Sequence, residues 1–93
     1  MKGLAAIRAE LDDVDRELVA LLARRAQLVA AAWRLKDAQG LQHGDPAREA
    51  AIFAAALDQA QAAGLDRVAM QAVLEKVVGV DLLGKELSQN ESF

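Results

Sequence analysis

Apolar residues recur along the first third of the chain in alternating steps of three and four: Leu4, Ile7, Leu11, Val14, Leu18, Leu21, then Leu28, Ala32 and Leu35. This is the period of a helix that buries one seam. Neither Gly nor Pro interrupts it between Leu4 and Gln39. The pattern predicts a single helix roughly 50 Å long at a rise of about 1.5 Å per residue. A compact chain of this size has a radius of gyration of only about 12–13 Å, so such a rod cannot hide its own seam. Two chains pairing their long helices antiparallel, or a bundle of several copies, would cover it.

Gly40 to Gly44 breaks the pattern, and Asp45-Pro46 reads as an N-cap followed by proline at the first helical position. A second helix is expected from there through Ile52, Phe53, Ala56, Leu57 and Ala60, stopping at Gly64. Asp66 can then cap a third helix carrying Met70, Val73, Leu74, Val77 and Val78 on one face. Gly79 and Gly84 weaken its continuation, although Leu82, Leu83 and Leu87 keep the period, and Ser88 to Phe93 reads as a frayed polar tail. The expected fold is all-α: a three-helix chain with one long N-terminal helix. One domain over residues 1–93 is expected, with its core in 4–87 and no internal repeat or linker.

Composition narrows the chemistry. Ninety-three residues bury a thin core, which makes pairing with a second copy attractive. Alanine dominates the 54% hydrophobic content and there are only two Phe, one Trp and no Tyr, a balance that suits close-packed helices. The absence of cysteine excludes disulfides, thiolate zinc sites and cysteine nucleophiles. A net charge of −3 gives no bulk attraction to nucleic acid or an anionic membrane, so neither is expected as a partner. The N-terminus enters the amphipathic pattern directly, with no signal-peptide core and no apolar span, and the expected location is cytoplasmic. There is no metal-ligand cluster, no Gly-rich phosphate loop and no Ser-His-Asp set, so no metal or cofactor is expected. What remains open is a reaction that needs only positioning and a cation at a developing negative charge.

Several charges stand where the pattern does not want them. Arg25 occupies a seam position, and a buried guanidinium is costly unless paired. It needs an acidic partner or a bound anion; a structural salt bridge or snorkelling is the plainer alternative. Lys36 favours the anion: eleven residues on, it falls within about 20° of the same face and roughly 16 Å along it, past the apolar Leu28, Val29 and Ala32. Arg8 is 17 residues before Arg25, roughly 25 Å away on the same rod. An antiparallel partner chain could bring its own Arg8 beside Arg25, while the alternative for Arg8 is a solvated charge near Asp12. In the first turn of the second helix the dipole favours Glu49 and disfavours Arg48, so Arg48 needs another reason or is simply exposed. Asp45 is adequately explained as a cap, His43 as a surface loop residue and Trp33 as a packing residue.

The joint pattern is Leu4-x-x-Ile7-Arg8 with Asp12 and Asp15, Leu21-Leu22-Ala23-Arg24-Arg25, Lys36, Asp45-Pro46-Ala47-Arg48-Glu49, and Gly64-Leu65-Asp66. It resembles the all-helical chorismate mutase family over roughly Leu4 to Leu87. The resemblance implies an intertwined homodimer with two equivalent sites, converting chorismate to prephenate by an intramolecular Claisen rearrangement. It implies that Arg25 and Arg8 of the partner subunit hold the two carboxylates of the substrate, supported by Arg48. Lys36 would donate to the ether oxygen, and Glu49 with the backbone near Asp45 would hold the ring hydroxyl.

The third helix departs from the family pattern, which usually shows a serine and, four residues later, a glutamine or glutamate. Asp81 and Lys85 stand at those positions here. Lys85 can neutralise Asp81 at the i+4 spacing, or be itself the second donor to the ether oxygen; a one-residue shift would put Glu86 there instead; or the pair is a surface ion pair. The alternatives of the same fold are an isochorismate-pyruvate lyase, against which Glu49 argues, and a mutase of the 4-amino analogue of chorismate. A non-catalytic helical dimerisation or regulatory module is the alternative of another class, and dependence on an activating partner enzyme stays open.

Overall fold

A computed structural model describes residues 3–42 and 44–84, which form three helices and no strand: α1 (Leu4–Ala38), α2 (Pro46–Ala62) and α3 (Arg67–Glu75). His43, Lys85, Glu86, Leu87 and the tail from Ser88 lie outside the described residues. The chain divides within α1 into two compact units, one built on the helix up to Ala32 and the other comprising Trp33–Asp81.

In the first unit α1 runs unbroken because nothing in it forbids helix: it is rich in Ala, Leu and Arg, the strongest helix formers. Its apolar stripe is uncovered in a single chain. Leu4, Ile7, Leu11, Val14, Leu18 and Leu21 are all exposed, and Leu28 and Leu35 continue the row, equally exposed. After Leu21 the covered residues include Leu22, Ala26, Val29 and Trp33, which on a straight helix carry on the face of Leu4 and Leu11, about eighteen residues making five full turns. The reason is geometric: a seven-residue repeat drifts about 20° per heptad on a straight helix, so Leu28 and Leu35 rotate away from the face that Leu4, Leu11 and Leu18 began. Arg25 and Lys36 are half-buried and stay with the partly covered face.

The second unit holds the core. Leu57, Leu74 and Val78 are buried, with Ile52, Phe53, Ala56 and Met70 packed against them. The i, i+4, i+5 spacing of Ile52, Ala56 and Leu57 gives α2 one apolar face, and α3 supplies Met70 and Leu74 opposite. Asp45 caps α2 and Asp66 caps α3, as expected: each side chain accepts a backbone N–H three residues on, from Arg48 at 3.0 Å and Ala69 at 2.8 Å. Gly64 ends α2 at φ +84°, with Leu65 N donating to Ala60 O at 2.9 Å and Gly64 N to Gln61 O at 3.1 Å. This is a Schellman stop, which needs the left-handed conformation glycine adopts freely. The Arg67 guanidinium reaches back to Asp58 at 3.4 Å and Gln61 at 3.1 Å, tying the start of α3 to the last turns of α2.

The third helix is shorter than its apolar pattern suggests. Lys76 is its C-cap, Val77 to Gly79 form a turn, and residues 80–84 are not helical. Val77, Val78 and Val80 lose side-chain freedom in a helix, and Gly79 at φ +75° leaves helical backbone altogether. Val78 is nevertheless buried from its place in the turn, whereas Leu82 and Leu83 are exposed rather than extending the face of α3.

Candidate active site

Arg8 and Arg25 belong to the first unit; Lys36, Asp45, Arg48, Glu49 and Asp81 belong to the second. Arg8 is exposed, one residue past Ile7 of the uncovered stripe. Arg25 follows Leu4, Leu11 and Leu18 at heptad spacing, at the place where the exposed stripe gives way to the partly covered face. Lys36, also half-buried, stands in the last turn of α1, where the helix dipole favours a cation.

At the start of α2, capping fixes the backbone that carries the next two charges. Asp45 Oδ1 accepts from Arg48 N, and the first helical bond runs from Glu49 N to Asp45 O at 3.0 Å. The side chain of Asp45 is thus engaged in holding the turn, as the cap that the sequence suggested. Arg48 and Glu49 are exposed at consecutive positions, so they project about 100° apart around the helix. The Glu49 carboxylate folds toward the segment after α3: its Oε1 would stand only 3.0 Å from a Cβ placed on Gly79.

That approach brings the α2 turn together with the stretch leading to Asp81, two residues beyond Gly79. Asp81 is exposed and lies outside the described helices. Lys85 is outside the described residues. Sequence reasoning treated Gly79 only as a helix breaker and missed its closeness to Glu49. A lone glycine inside the apolar run Val77-Val78-Gly79-Val80 was the available signal, since such a glycine marks close approach by another group. Among the described residues no helix is long and apolar enough to cross a membrane, and no three His, Cys, Asp or Glu gather as metal ligands.

One long helix and two shorter ones make the described residues all-α, with no three His, Cys, Asp or Glu gathered as metal ligands among them. Residues 7–80 match the family model of chorismate mutase type II, and the chain belongs to that family. Over 76 residues it is 36% identical to the T-protein of Haemophilus influenzae, covering 82% of this chain and 20% of that protein. Over 75 residues it is 37% identical to the T-protein of Enterobacter agglomerans, covering 81% of this chain and 20% of that protein. The chain therefore spans about a fifth of the length of these curated relatives. No solved structure matches it significantly.

Proposed function

We propose that this chain is a chorismate mutase working in the cytoplasm as an intertwined homodimer. The observation that carries this reading is the pair Arg25 and Lys36, half-buried on an unbroken α1 in a chain of the chorismate mutase type II family. The substrate is a dicarboxylate, and Arg25 with Arg8 of the partner subunit would take one carboxylate each, with Arg48 in support. Bidentate guanidinium forks suit this task because they fix orientation as well as charge.

The rearrangement is intramolecular: the C–O bond of the enolpyruvyl ether breaks as a C–C bond forms, and no group leaves the molecule. Nothing in it calls for a nucleophile. Negative charge grows on the ether oxygen as the C–O bond lengthens, so the Lys36 ammonium stabilises the transition state more than the ground state. Glu49 accepts the ring hydroxyl, with the capped backbone at Asp45 beside it, and holding the folded substrate supplies the entropic part of the rate. Asp81 is assigned to the substrate-binding residues, beside a substrate carboxylate, and Lys85 is the second donor to the ether oxygen.

The test is the purified chain with chorismate. Loss of chorismate absorbance with formation of prephenate is expected; absence of turnover at saturating chorismate would sink the reading. Pyruvate and salicylate from isochorismate, with negligible prephenate from chorismate, would assign the chain to the lyase reaction instead.

A further inference from the structure

We infer that Gly79 is a positioning residue for Glu49: a side chain is excluded at 79 so that the Glu49 carboxylate can lie against the backbone that follows α3. The inference deepens the proposed function and rests on its assignment of Glu49 to the ring hydroxyl.

Among the described glycines, three have positive φ: Gly40 at 70°, Gly64 at 84° and Gly79 at 75°. Gly40 and Gly64 follow α1 and α2, and a Cβ on either would meet nothing within 4 Å. Their backbone conformation accounts for them. A Cβ on Gly79 would instead stand 3.0 Å from Glu49 Oε1, 3.5 Å from Cδ and 3.7 Å from Oε2, so the whole carboxylate is packed on the space a side chain would fill. Glu49 is otherwise exposed, on a side chain with three free torsions. Its backbone is fixed by the Asp45 cap at one end, and Gly79 limits where the carboxylate can go at the other.

A methyl group at 79 would push the carboxylate aside by a few tenths of an ångström to restore ordinary contact, a fraction of the roughly 1 Å misplacement that costs about a hundredfold in rate when it falls on a positioning group. The displaced atoms are the far end of a flexible side chain, so the fold yields easily there. Function is what reads the change.

The experiment compares Gly79→Ala, Gly79→Asn, Gly64→Ala, Glu49→Ala and the double variant Gly79→Ala with Glu49→Ala. Gly64→Ala carries the same positive-φ strain with no neighbour to displace, and asparagine tolerates that backbone while still placing a Cβ on Glu49. Both Gly79 variants are expected to lower kcat/KM for chorismate by about four- to tenfold, and Gly64→Ala by less than about twofold, away from any neighbour. In the Glu49→Ala background, Gly79→Ala should add no further loss. The ¹³C carboxyl resonance of Glu49 should move in both Gly79 variants and stay in Gly64→Ala. A Gly79→Ala loss that matches Gly64→Ala, persists in full without Glu49, or leaves the Glu49 resonance unmoved overturns the inference. A resonance that moves in the Gly79 variants, when the wild-type chain does not turn over chorismate, would keep Gly79 as the positioner of Glu49 and reject the role assigned to Glu49 itself.

Discussion

Leu18 offers the sharpest test of how the long helix is used. It is 53% exposed in a single chain, within the uncovered stripe from Leu4 to Leu21. Fully burying a leucine contributes about 1.5–3 kcal/mol, so burying the exposed half of Leu18 on pairing contributes about 1–1.5 kcal/mol. A two-fold dimer makes every substitution twice. Leu18→Ala should therefore weaken association by about 2–3 kcal/mol, which is about thirty- to 150-fold in dissociation constant. Sedimentation equilibrium over a range of chain concentrations reads this directly. Val68→Ala serves as the control, because Val68 is even more exposed, at 78%, but belongs to α3 and not to the α1 stripe. Because each site borrows Arg8 from the partner subunit in the proposed arrangement, specific activity of Leu18→Ala should also fall on dilution at concentrations where the wild type holds its rate. A wild-type chain that sediments as a monomer throughout, or a Leu18→Ala chain that pairs as tightly as wild type, refutes the reasoning.

Mixing Arg8→Ala chains with Lys36→Ala chains, each inactive alone, should restore about a quarter of wild-type activity, since half of randomly formed dimers are mixed and each holds one intact site; no recovery would count against Arg8 acting across the interface. Asp45→Ala removes the acceptor of Arg48 N and should cost about 1 kcal/mol of stability in urea unfolding, while Asp45→Asn should retain most of it; equal losses in the two would mean that the cap is not what Asp45 contributes.

The helices were legible wherever local rules act alone. The caps at Asp45 and Asp66 and the stop at Gly64 follow from side chains and φ preferences within a few residues, and each stands where the pattern placed it. The extent of α3 was not legible in the same way. Its apolar period ran on through Leu82, Leu83 and Leu87, yet the valines and Gly79 end the helix at Glu75, and Val78 reaches the core from a turn. Periodicity cannot distinguish an apolar residue that continues a helix from one that packs after it has ended.

The candidate site divides along the same line. By itself, the sequence determined that α1 is one long helix with a stripe it cannot cover, that Arg25 and Lys36 share its face, and that Asp45, Arg48 and Glu49 form one capped turn, because all of these depend on spacing along a single element. Only the tertiary structure decided that Arg25 and Lys36 are half-buried while Leu28 and Leu35 are exposed, and that the Glu49 carboxylate rests on Gly79. Those facts depend on helix drift and on the packing of α2 with α3, which bring together residues thirty positions apart that no local rule couples.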